Sequence, residues 1–93
     1  MLEDRSNTSE LVHFIEMYDN LIGLETHCLN AYIFEGKEYI LKVLEQIKQI
    51  EAEGSSELIE DCLKRNYWSK KEERNIGNIQ TKLRNALTVE NET

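Results

Sequence analysis

"KEYILKVLEQIKQIEAEG", Lys37 to Gly54, carries the clearest periodicity in the chain, and the fold class turns on it. Ile40, Val43, Leu44, Ile47 and Ile50 recur at three- and four-residue steps. That spacing lays them along one face of an α-helix, whereas a half-buried strand needs strict alternation. Lys, Glu and Gln fill most of the remaining positions, and Gly54 closes the pattern with its tolerance of left-handed backbone angles.

Working outward, the same spacing recurs on both sides. Upstream, Asn7 is placed to cap a helix with Glu10 returning the hydrogen bond. Leu11, Phe14, Ile15, Tyr18, Leu21 and Ile22 then form one stripe. The stripe can run on through Cys28, Leu29, Tyr32 and Ile33 to Gly36, with Gly23 and the polar "ETH" leaving a break open near residues 23–27. Downstream, "GSSE" opens a short helix carrying Leu58, Ile59, Cys62 and Leu63. Finally "SKKE", Ser69 to Glu72, reads as a capping box for a last helix with Ile76, Ile79, Leu83 and Leu87 on its stripe.

No strand-like alternation competes with these patterns. Short links favour antiparallel neighbours, so the expected fold is all-α: a small antiparallel bundle of three to four helices. Ninety-three residues suit one domain, 1–93, with 1–7 and 88–93 as flexible ends. The acidic start, "MLEDRSNTSE", lacks the basic-then-apolar order of a signal peptide, and no stretch approaches the ~18 apolar residues that span a bilayer. The expectation is therefore a cytoplasmic protein with no membrane partner, in which Cys28 and Cys62 are reduced core thiols.

Charge is the second informative feature. Residues 1–63 hold fourteen acids and four bases, residues 64–84 hold seven bases and two acids, and the whole chain nets −7. Lys64 and Arg65 each follow an acid by four residues, Glu60 and Asp61, a favourable order on a helix worth about 0.2–0.5 kcal/mol per pair. If the last helix starts at Ser69, a turn of about 100° per residue puts Lys70, Lys71 and Arg74 opposite its apolar stripe, flanked by Lys82 and Arg84. This basic face is then directed at water or a partner. A rival surface is the acidic corner made by Glu45, Glu51, Glu53, Glu57, Glu60 and Asp61. Tyr67 and Trp68 stand beside the basic run, either plugging the end of the bundle or anchoring a partner.

Catalytic chemistry finds few candidates. There is no Gly-rich phosphate loop, no nucleophile elbow, and no Cys-x-x-Cys or His-x-x-x-His pair, so neither a metal nor a cofactor is expected. His13 and His27 lie fourteen residues apart, which returns to nearly the same face of an unbroken helix. The stretch "THCLNA", with His27 two residues before Leu29, resembles histidine phosphotransfer domains, themselves small helical bundles. Asn30 and Ala31 stand where that family has lysine and glycine, and the phosphotransfer reading is not adopted. Gly77 falls inside a helical pattern and not in a turn between helices, which removes most of the force of a helix-turn-helix reading.

What remains is a non-enzymatic protein-binding module: an inhibitor, an immunity- or antitoxin-like protein, or a regulatory adaptor. Its expected partner is another protein, with a basic surface opposite the acidic corner, or a second copy of the chain. The alternative is a nucleic-acid-binding regulator using the basic face. It ranks lower because a domain with pI near 4.8 repels phosphate at long range.

Overall fold

The computed structural model describes residues 10–92, with side chains through residue 88. Every regular element among them is helical: α1 (10–16), α2 (Gly23–Glu35), α3 (Lys37–Ala52), α4 (Ser56–Arg65), a 3-10 turn (Lys71–Arg74) and α5 (Ile76–Glu92). Five α-helices stand where three to four were expected. The proposed caps at Asn7 and the flexible 1–7 lie outside the described residues, and α5 continues past Leu87 to Glu92.

The extra helix comes from a break at residues 17–22, earlier than the 23–27 suggested by the sequence. Asp19 is the local cause, since its carboxylate accepts the Leu21 N–H at 2.9 Å and its carbonyl accepts the Ile22 N–H at 3.2 Å. A side chain that offers the backbone a turn competes with helix propagation. α2 then restarts at Gly23, and its apolar residues are re-phased relative to those of α1.

α3 follows its sequence pattern closely. Ile40, Val43 and Ile47 are wholly buried, with Leu44 and Ile50 partly so. Each fully buried aliphatic side chain stabilises the fold by about 1.5–3 kcal/mol. Gln46 shares the buried face: its Oε1 accepts the Leu11 N–H at 2.9 Å, satisfying a donor at the start of α1 that has no partner within its own helix. α2 packs on α3 and α5, and α3 on α4 and α5, around a core that also takes Leu11, Phe14 and Ile15 from α1 and Ile79, Leu83 and Ala86 from α5.

Two helices end in the same hydrogen-bond pattern with different residues at the left-handed position. After α3 that residue is Gly54 (φ +74°), with Gly54 N–H bonded to Glu51 O and Ser55 N–H to Ile50 O. After α4 it is Tyr67 (φ +64°), with Tyr67 N–H bonded to Lys64 O and Trp68 N–H to Leu63 O. Both are Schellman endings. At Tyr67 a side chain costs the backbone about 1–2 kcal/mol that glycine avoids. Burial of Leu63 and Trp68, the hydrophobic pair that accompanies this motif, holds the turn.

Candidate functional site

Trp68 defines one end of the molecule. Its side chain is 1% exposed, and its indole N–H donates to the Ile15 carbonyl at 3.0 Å. Its ring stacks on Tyr18 with centroids 3.9 Å apart, and His27 meets it edge-on. Tyr18 donates its hydroxyl to Glu73, whose other oxygen accepts the Leu24 N–H at the start of α2 at 3.2 Å. A carboxylate there also complements the positive end of the helix dipole. Arg74 closes the loop by donating from one guanidinium nitrogen to the Trp68 carbonyl at 2.8 Å and the Ser69 carbonyl at 3.3 Å. Asn20 joins the two loops from the other side, donating to Tyr67 O and accepting from Ser69.

This arrangement decides between the two readings of Trp68 and corrects two other expectations. Trp68 plugs the bundle end and is not an accessible anchor, while Tyr67 beside it is 81% exposed. Ser69 does not start α5. The cap is Asn75, whose Oδ1 accepts the Asn78 N–H at 2.9 Å, and the extended backbone of Asn75 puts residues 70–74 out of phase with the helix. The single basic face therefore does not form. Lys70 and Lys71 are exposed, but Arg74 is half-buried and committed to backbone carbonyls. Lys82 pairs with Glu25 of α2 at 3.4 Å. Arg84 lines a surface hollow of about 670 Å³ together with Glu45, Lys48 and Glu51. Lys71 and Arg74 share another, of about 500 Å³, with Glu60, Lys64 and Glu72.

The acidic corner is exposed at all six positions, Glu45, Glu51, Glu53, Glu57, Glu60 and Asp61. Glu51 accepts a hydrogen bond from Gln80 at 3.2 Å. The expected pairing of Asp61 with Arg65 takes another form, because Arg65 donates to the Asp61 backbone carbonyl at 3.4 Å. Leu58, 59% exposed, lies among these acids in the sequence.

A hollow of about 360 Å³ opens between the end of α1, α2 and the start of α3. His13, Phe14, Met17, Ile22, His27, Asn30, Ala31, Phe34, Glu35 and Tyr39 line it. Three of these are exposed apolar side chains: Met17 at 63%, Ile22 at 40% and Phe34 at 80%. The sequence reading put Leu21, Ile22 and Ile33 on a core stripe, yet Leu21 is 93% and Ile33 70% exposed. The adjacent pair Ile33–Phe34 carried the missed signal. Neighbours on a helix diverge by about 100°, so one narrow stripe cannot take both.

Both histidines line the hollow, although the helix that was to align them is broken. His27 is buried and donates Nε2–H to the Phe14 carbonyl at 2.7 Å, the tautomer that a carbonyl partner requires. Burial pushes its pKa below 6.5, the Phe14 bond opposing that shift and His13 adding to it. A phosphoryl-accepting imidazole must be reached from solvent, and this ring is only 6% exposed. His13 is half-exposed, 3.7 Å from Glu35, with its ring edge-on to Tyr39. Cys28 is buried, its thiol pushed up to about 12 by burial. Cys62, expected in the core, is only partly buried. Among the described residues no three His, Cys, Asp or Glu side chains are grouped to hold a metal ion, and no helix is long and apolar enough to cross a membrane.

No protein-family model, no curated protein and no solved structure matches this chain.

Proposed function

We propose that this chain is a non-enzymatic protein-binding module, acting as an inhibitor, an immunity- or antitoxin-like protein, or a regulatory adaptor. Its helices, joined by short links at Gly36 and residues 53–55, run antiparallel in this reading. One observation carries it: Leu21, Phe34, Ile33, Met17 and Leu58 stand 59–93% exposed on a chain this small. Single exposed apolar residues are ordinary, but Met17 and Phe34 line one hollow together with Ile22, and exposed apolar side chains at a concave site fit a surface that a partner covers. The acidic corner supplies the long-range field, whose sign agrees with the net charge of −7 and would steer a basic partner into contact.

The nucleic-acid alternative is weaker because the basic residues are dispersed. Arg74 and Lys82 are tied to other groups, and Arg84 lies beside acids. Immobilised chain, challenged with lysate of the native host and read by mass spectrometry, tests the reading. A protein retained by the chain, and retained less at high salt or with Glu53→Lys, Glu57→Lys and Glu60→Lys, is the expected result. Enrichment of nucleic acid instead, abolished by Lys70→Glu and Lys71→Glu, would overturn it.

A further inference from the structure

We propose that the hollow beside α2 receives one face of a basic amphipathic helix from a partner protein. This rests on the protein-binding reading above, but not on the acidic corner as its surface. Three features of the hollow point to such an occupant.

The first is shape. At about 360 Å³ the hollow is near the lower end of small-molecule sites, which run from about 300 to 1,000 Å³. Such sites enclose most of their ligand, and this one cannot, since Met17, Ile22 and Phe34 face solvent at its rim. An open apolar trough between helices suits the apolar face of a helix, presented at i, i+3, i+4 and i+7.

The second is charge. Of the acids in residues 10–39, which build the trough, Glu10 pairs with Lys42 and Glu25 with Lys82, leaving Glu16, Asp19, Glu35 and Glu38 against Lys37. Glu35 lies in the lining itself and is 45% exposed. Two copies meeting trough to trough would set this negative charge against itself, and nucleic acid would bring phosphate to it. A helix with lysines or arginines flanking its apolar stripe reverses the sign of that interaction and gains in association rate.

The third is chemistry at the floor. His27 and Phe14 are buried under the trough, with Nε2–H of His27 already bonded to Phe14 O, so the floor offers aromatic surface with that donor satisfied. Apolar side chains can cover it without leaving that group unpaired.

The test uses the full chain and a fluorescent amphipathic peptide of leucine and lysine, with anisotropy as readout. Its controls are the same peptide with glutamate in place of lysine and an RNA oligonucleotide. The expected result is binding of the leucine–lysine peptide only. Phe34→Asp or Met17→Asp should each weaken it by about tenfold or more, as loss of a central anchor does. Glu53→Lys, Glu57→Lys and Glu60→Lys together should change it less. Circular dichroism confirms that each variant remains helical. Equal binding by the Phe34→Asp and Met17→Asp chains, with loss in the acidic-corner variant, would overturn the trough while leaving the protein-binding reading intact. Equal binding of the glutamate peptide would overturn the charge argument, and binding of RNA alone would overturn both readings.

Discussion

Residues 17–35 and residues 66–75 make opposite use of their composition. The first stretch is apolar in sequence, with Met17, Leu21, Ile22, Ile33 and Phe34, yet the fold leaves all five of these side chains exposed. The second is polar and basic, yet Trp68, Glu73 and Arg74 in it are bonded or packed into the body of the molecule. The difference lies in what the backbone needs. Loop 66–75 has carbonyls and helix ends that only long polar side chains can satisfy, and Arg74 and Glu73 reach them. Nothing in 17–35 calls for its outer apolar side chains once α2 has placed Leu24 and Cys28 in the core. Charge in a sequence is thus a poor guide to what is free, and so is hydrophobicity.

The strongest way to break this comparison is at its most buried point. Trp68→Ala removes the sole tryptophan, its stack on Tyr18 and its bond to Ile15. Truncating a buried aromatic of this size costs about 3–5 kcal/mol. That is a large share of the stability of a 93-residue domain, so the expected outcome is a chain largely unfolded at 37 °C by far-ultraviolet circular dichroism. A variant that melts within a few degrees of the parent would show that Trp68 is not the closure of the bundle end.

Arg74 is the next test, and it separates residues that the sequence grouped together. Arg74→Met keeps the apolar stem but abandons the Trp68 and Ser69 carbonyls, at an expected cost of about 1–3 kcal/mol in urea unfolding. Replacing Lys70 and Lys71 with glutamate should stay within about 0.5 kcal/mol, as for exposed positions generally. Equal effects from the two changes would restore the single basic face that the helical wheel proposed.

A pH titration probes the same end of the molecule. The buried His27 resists protonation below 6.5. As pH falls through 6.5 the unfolded chain takes up a proton that the folded chain refuses, so stability falls with falling pH. Above 6.5 both states are neutral at this site and the term vanishes. One group changes stability by at most about 1.4 kcal/mol per pH unit. Of the charged groups near the imidazole, His13 opposes its protonation, and Glu73 is linked to it only through the Tyr18 ring. Urea midpoints between pH 6.5 and 5, above the carboxylate range, should fall in the parent and fall less in His27→Gln, which keeps a donor for the Phe14 carbonyl. Parallel slopes would place the titrating group elsewhere.

How much of this was legible follows from where each signal is stored. α3 was readable because its stripe, its polar face and Gly54 all agree, and such agreement between levels fixes a helix. α4 was readable from its stripe, of which Ile59 and Leu63 are buried although Leu58 is exposed, but its end was not, since Tyr67 occupies a position where sequence patterns look for glycine. The start of α5 was misread because Ser69 and Glu72 match a capping box, while Asn75, six residues on, makes the actual cap. The hollow beside α2 depends on the turn at Asp19, a tertiary consequence that no periodicity records. Its members were visible in the sequence only as a stripe too wide for one helix face.

The smallest expected effect is the most direct test of the exposed half. Phe34 and Trp68 are both large aromatics, and on hydrophobicity alone both belong inside. At 80% exposure Phe34 has little buried area to lose, and it lies one helical step from Ile33, itself in solvent. Phe34→Ala should therefore change the unfolding free energy by less than about 0.5 kcal/mol, and it gains slightly from the better helix propensity of alanine. The measurement is a pair of urea curves under identical conditions, with the slope checked so that no change in the unfolded state is mistaken for stability. A loss of about 2 kcal/mol or more would mean that Phe34 is covered in solution by something the isolated fold does not provide, a second copy being the first to check. Dilution then distinguishes the cases, because a loss that disappears at low protein concentration belongs to self-association and one that persists belongs to the monomer.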